Sequence, residues 1–66
     1  MSTPLQTDTA ILNWIERHST IHKTVEFLWT GGQMEVSLVD DRINQVTYRS
    51  APSLREAMSM LMEAHE

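Results

Sequence analysis

The stretch His22–Asp40, HKTVEFLWTGGQMEVSLVD, decides the fold of this chain. Val25, Phe27 and Trp29 alternate with Thr24, Glu26 and Leu28, and a period of two is that of a strand with one buried face. Gly31-Gly32 then supplies a pair of residues free to take positive φ, as a two-residue hairpin turn requires. Such a turn pairs Thr30 with Gln33, Trp29 with Met34, Phe27 with Val36, and Val25 with Leu38. Each apolar residue of the first strand thus meets an apolar residue of the second. The opposite face pairs Leu28 with Glu35 and Glu26 with Ser37, and is mostly polar. A slip of one residue destroys this match.

Downstream, DDRINQ (40–45) is rich in residues that hydrogen-bond their own backbone and reads as a turn. A third strand follows, with Val46 and Tyr48 on one face and Gln45, Thr47 and Arg49 on the other. A turn centred near Asp41 sets Val36 beside Val46 and Met34 beside Tyr48, which puts Val46 and Tyr48 on the apolar face. Ser53-Leu54-Arg55-Glu56 then opens a helix with an S-x-x-E capping box, and Pro52 discourages an earlier start. Upstream, Ile11, Leu12, Trp14 and Ile15 share one face of a short helix. Thr7 or Asp8 caps it, and it ends near Arg17 or His18. Residues 1–6 read as a flexible N-terminal tail, and residues 7–66 as a single small domain. The expected fold is α+β in the order α-β-β-β-α, a three-stranded antiparallel sheet with both helices packed on one face.

A chain of 66 residues buries only about 60 % of its unfolded surface, and small domains often compensate with disulfides, a metal or oligomerisation. Cysteine is absent, which removes disulfides and thiolate chemistry. No apolar run approaches the ~18 residues of a membrane span, and MSTPLQTDTA lacks the features of a secretion signal. The expected location is cytoplasmic. Nine acidic and five basic residues leave a net charge of −4, which argues against binding a phosphate backbone.

The closing segment, SAPSLREAMSMLMEAHE (50–66), carries more apolar surface than one sheet covers. On a helical wheel Leu54, Met58, Leu61 and His65 form the central stripe, flanked by Ala57 and Met62. Met60 and Ala64 lie further round and widen the apolar arc to roughly 200°, against a little over 100° for an ordinary surface helix. Methionine adapts to irregular partners, so the excess reads as an interface. The expected partner surface is Met58, Met60, Met62 and Ala64, together with Trp29 at the hairpin tip.

Residues that carry chemistry point nowhere as sharply. His18 and His22 are four apart and His65 is remote, with no metal-binding motif around them. Neither metal nor cofactor is expected. Glu26 and Glu35 fall on the outer sheet face, without the cleft that general acid–base work requires. Ser50, Ser53 and Ser59 have no nucleophile-elbow context. Gly31-Gly32 precedes a strand and is no phosphate loop. Trp14, Phe27, Trp29 and Tyr48 read as packing residues rather than as a base-stacking platform, because they share the face the helices are expected to cover; Trp29, at the strand end beside the glycine turn, is the one of the four expected to be partly exposed.

The run from Val25 to the C-terminus, a hairpin, a third strand and a helix opened by SLREAM, resembles the β-β-β-α core of HicB-type antitoxins. The likeness rests on Ser53-Leu54-Arg55-Glu56-Ala57, where that family commonly has Ser/Thr-Leu-x-Glu-Ala. Small phage- and prophage-encoded proteins show a similar ending. The sequence departs from that core in its additional N-terminal helix, and it lacks a Pro-Gly turn between the second and third strands. The resemblance implies a cytosolic homodimer that binds and neutralises a protein; it assigns no role to any residue. The expected function, resting on the final helix (Met60 and Ala64, with Met58 and Met62 at the margins) and on the tip around Trp29, is a non-catalytic protein-binding module, homodimeric, that modulates or inhibits a partner protein. The alternatives are a nucleic-acid-associated regulator working through Lys23, Arg42 and Arg49, and a structural or assembly subunit.

Overall fold

The computed structural model describes residues 5–65. Helix α1 spans Asp8–His18, strands β1 Lys23–Thr30, β2 Gln33–Asp40 and β3 Gln45–Ala51, and helix α2 Leu54–His65. The strands form one antiparallel sheet in the order β1-β2-β3, and the architecture is α-β-β-β-α as the sequence indicates. Of the expected tail, residues 1–4 lie outside the described residues. Gln6 is tied down, its backbone N–H donating to Ser59 Oγ at 2.9 Å.

Gly31 and Gly32 take φ of 58° and 79°, the left-handed region that a type I′ turn demands of both central residues. The β1–β2 register follows from that turn: Thr30 opposite Gln33, Trp29 opposite Met34, Phe27 opposite Val36, Val25 opposite Leu38. The β2–β3 register differs from the expectation. Val36 lies opposite Arg49, Ser37 opposite Tyr48, and Val39 opposite Val46. The turn is longer than one centred on Asp41, occupying residues 41–44 with Asn44 at φ 52°, and Arg42 N–H donates to Asp40 Oδ1 at 3.1 Å. The resulting offset is an odd number of residues, which inverts the faces of the strand. Val46 and Tyr48 therefore stand exposed on the bare face of the sheet, not under the helices.

The helix-bearing face is formed by Val25, Phe27 and Trp29 of β1, Met34, Val36 and Leu38 of β2, and Thr47, Arg49 and Ala51 of β3. Helix α2 lies over β2 and β3, and α1 packs against α2 and β1. Between them they enclose Ile11, Trp14, Val36, Leu38, Ala51, Ala57, Met58, Leu61 and Met62. Much of the apolar arc of α2 is thus covered within the chain, since this helix meets two strands and another helix at once, while Met60 and Ala64 at its margin stay exposed.

Side chains close both helix starts. Thr7 Oγ1 accepts from Ala10 N–H at 3.1 Å, the N-cap arrangement. Ser53 Oγ accepts from Glu56 N–H and donates to the Glu56 carboxylate, both at 3.2 Å. The Glu56 side chain thus meets the Ser53 hydroxyl, where a reciprocal capping box would engage the Ser53 N–H. The end of α1 is closed by His18 Nδ1, donating to the Trp14 carbonyl at 2.9 Å, and by Ser19 Oγ, donating to the Ile15 carbonyl at 2.7 Å. Ser59, a polar residue of α2, is buried. Its hydroxyl donates to the Arg55 carbonyl at 2.7 Å while accepting from Gln6, so both its functions are met.

Leu61 and Met58 are fully buried at the centre of this core. Truncation of a buried leucine to alanine costs about 2–5 kcal/mol, a large share of the stability of so small a domain. Leu61→Ala is expected to be largely unfolded at 37 °C, as read by a urea titration followed by circular dichroism, whereas Leu12→Ala, at an exposed position of α1, changes the midpoint little.

Candidate interaction surface

The residues expected at a partner surface do not come together. Met58 and Met62 lie in the core at 0 % and 6 % exposure, and their surfaces are spent on the chain itself. This corrects their assignment to an interface: both side chains are enclosed in the core that α2 forms with the sheet and α1. Met60 is partly exposed and Ala64 exposed. Both line a shallow depression with Arg49 and Glu63 on the β3 side of the molecule. Trp29 stands on the opposite edge strand, 58 % exposed.

Beside Trp29 on the same face is Phe27, 45 % exposed. Helix α1 packs on β1 and Val25 packs against the core, while the two aromatics beyond it stay open. Phe27 and Trp29 thus form an apolar strip on a sheet edge, continuous with the core through Val25. Leu28 between them points to the bare face and is also exposed. Sequence reasoning identified Trp29 as accessible but placed Phe27 in the core. The alternation of β1 assigns the correct face, but it carries no information on how far the helices extend over that face.

Exposed apolar side chains occur elsewhere as well. On the bare face Val46 and Tyr48 stand beside Val39 and Ser37. At the helix starts Ile11, Leu12 and Leu54 line a groove bounded by Asp8, Ser53 and Arg55. The groove is bridged by a two-pronged ion pair, Arg55 Nε to Asp8 Oδ1 at 2.8 Å and Nη2 to Oδ2 at 3.0 Å. The hydrogen bond and the charge of Arg55 hold the Asp8 carboxyl below the usual carboxylate range.

The histidines separate into two environments. His22 Nδ1 lies 3.3 Å from Asp41 Oδ1, at the end of the sheet away from the glycine turn. His18 and His65, from the last turns of α1 and α2, meet with ring centroids 5.0 Å apart. Trp14 stacks on His18 at 4.1 Å and meets the edge of His65 at 5.9 Å. Burial pushes the His65 pKa down, the positive charge of His18 and then of Lys23 add to this, and Asp40 opposes it. Among the described residues no group of three or more His, Cys, Asp or Glu is placed to hold a metal ion.

Of the acid–base candidates, Glu26 is exposed and Glu35 partly so, on the bare face, and Ser53 is engaged as the α2 cap. The basic residues are dispersed: Lys23 at the start of β1, Arg42 in the β2–β3 turn, and Arg49 on β3. Among the described residues no helix is long and apolar enough to cross a membrane. No protein-family model matches the sequence, and no match was found among curated proteins or solved structures.

A lowered folded-state pKa at His65 has a definite consequence for stability. The unfolded chain, with an ordinary imidazole near 6.5, binds the proton more readily than the folded one. The contribution of the neutral ring is therefore complete above pH 6.5 and is lost as pH falls through the lowered folded value. The melting temperature is expected to decline between pH 7 and pH 5, and His65→Gln to flatten that part of the profile, measured by thermal melts in constant ionic strength.

Proposed function

We infer that the chain is a non-catalytic protein-binding module that modulates a partner protein, and that the strip formed by Phe27 and Trp29 on β1 is its docking surface. The observation that carries this reading is the exposure of these two aromatics on the face that elsewhere forms the core. Aromatic residues at the centre of an interface supply much of its energy, and a monomeric small domain gains by covering them. The open edge of β1 adds a means of recognition, because an extended segment laid along a sheet edge gains main-chain hydrogen bonds as well as side-chain contacts. The likeness of the segment from Val25 onward to the HicB-type core agrees with this reading.

Met60 and Ala64 belong to a separate surface, so the two regions can be tested apart. The immobilised chain, incubated with lysate of its source cell, is expected to retain a protein that Trp29→Ser fails to retain and Met60→Asp still retains. Mass spectrometry identifies the retained species, and circular dichroism confirms that both variants are folded. Equal capture by Trp29→Ser and the native chain would exclude the β1 strip as the docking surface.

A further inference from the structure

We propose that the occupant of the β1 edge is a second copy of this chain, its own β1 laid antiparallel in the register that places Phe27 opposite Phe27 of the partner copy. The proposal rests on the reading of β1 as the docking surface and specifies what docks there.

The sheet has two edges, and they differ. In a hairpin with a two-residue loop, the pair flanking the loop exchanges backbone hydrogen bonds, as does every second pair after it. Thr30 and Gln33 are that flanking pair, so the backbone groups of Val25, Phe27 and Trp29 point outward from β1. The alternation is visible at the far end of the strand. The Asp41 N–H donates to the His22 carbonyl at 2.9 Å across the ladder, while the Lys23 carbonyl, facing outward, accepts from Thr20 N–H at 3.0 Å. The chain thus occupies the outward carbonyl at Lys23, and the turn closes the strand after Thr30. The edge left between them is Val25–Trp29, with Phe27 at its centre.

On β3 the same alternation directs the backbone groups of Val46, Tyr48 and Ser50 outward. There the Arg49 guanidinium folds back, and its Nη1 donates to the Tyr48 carbonyl at 2.6 Å. The middle carbonyl of that edge is covered by a charged side chain, a common device against edge-to-edge pairing. Pro52 follows the end of the strand. Among the described residues, edge β3 is guarded and edge β1 between Val25 and Trp29 is not.

Self-complementarity selects the partner and the register. A continuous sheet requires paired residues to share a face, so β1 can meet its own copy only with residue numbers of equal parity opposed. Centring on Phe27 sets Val25 opposite Trp29 of the second copy, Phe27 opposite Phe27, and Glu26 opposite Leu28. The apolar strip is then paired end to end, and the partner Trp29 comes beside Val25, where the chain's own core begins. Centring on Glu26 would set two carboxylates against each other, which is destabilising. Centring on Val25 would require the Lys23 carbonyl that Thr20 already occupies, and centring on Leu28 would strand Val25 against Gly31.

The magnitude indicates a reversible dimer. A fully enclosed aromatic side chain buries roughly 150–250 Å², so two half-exposed aromatics from each copy supply on the order of 400 Å². With the main chain, Val25 and Leu28 added, the contact stays at the small end of specific interfaces, whose standard size is about 1,200–2,000 Å².

The test is sedimentation equilibrium of the full chain over a wide concentration range, combined with cross-linking in a sequence free of native cysteine. The mass is expected to rise from one chain of 7.6 kDa toward twice that value. Phe27→Lys should abolish the rise and Tyr48→Lys on the other edge should leave it, with circular dichroism showing both folded. The register is read separately with Glu26→Cys and Leu28→Cys, both at exposed positions. In the proposed dimer these positions form a non-hydrogen-bonded pair with Cα atoms about 4.5 Å apart, within disulfide reach, whereas like residues lie about 7–8 Å apart on the diagonal. Oxidation of an equimolar mixture should yield mainly the mixed dimer. A chain that stays monomeric at every concentration would overturn self-pairing. If capture from lysate were then still lost in Trp29→Ser, the docking surface would stand with a foreign strand as its occupant. A dimer indifferent to Phe27→Lys, or one cross-linking without preference for the mixed pair, would overturn the β1 contact itself.

Discussion

The two-residue turn at Gly31-Gly32 is the constraint on which the rest of this structure depends. Both residues sit at positive φ, where a side chain on either would be strained, and the turn admits one pairing of the strands it joins. That pairing decides at once that Val36 and Leu38 are enclosed and that Glu26 and Ser37 are not. Neither helix supplies a comparable constraint. Their apolar faces tolerate small rotations and slides, whereas a shift of one residue in the hairpin exchanges the core for the surface.

Within that frame α2 is the central packing element. Its apolar arc is broad because it touches β2, β3 and α1 together, and Ala57, Met58, Leu61 and Met62 are buried by these contacts. Small and flexible side chains suit such a junction. Ala57 permits close approach, and methionine fills irregular space between elements of different geometry. Even Ser59 is drawn into the interior, where its hydroxyl ties the segment preceding α1 to α2 through the Gln6 N–H. The exposed pair Asp8–Arg55 links the same two helices at their starts.

The element order, the first hairpin register, the cap at Ser53 and, to within the choice between Thr7 and Asp8, the cap of α1 were legible in the sequence because each is a local property: a period, a turn dipeptide, a capping residue. Two features were not. The face of β3 depends on the length of the 41–44 turn, and a polar loop with several residues able to bond their own backbone does not declare which of them ends the strand. Alternation of Val46 and Tyr48 with polar neighbours is equally compatible with either face. What the structure selects is the face that places Ala51 and Thr47 against a helix already rich in methionine, leaving the larger Val46 and Tyr48 outside. The second feature was the division of α2 between its own core and a partner. A wheel shows the width of an apolar arc and cannot say whether a neighbouring helix or another molecule covers it. Met58 and Met62 are covered by the chain itself; Met60 and Ala64 remain at the margin.

The difference between the two sheet edges bears on more than the choice of partner. A strand domain with two open edges can add copies at both, and such head-to-tail or edge-to-edge growth need not close. Here the Arg49 side chain covers the central carbonyl of β3, leaving β1 as the edge on which association can occur. A contact in which β1 meets β1 is isologous: the same surface serves both copies, and once it is made neither copy retains it. In the proposed contact, one guarded edge and one self-complementary edge would limit association to a pair. The same geometry makes the self-contact compete with any foreign strand for the identical hydrogen-bonding groups. A module that dimerises weakly through its recognition edge would then bind its target as a single chain, with dissociation of the pair setting how readily it does so.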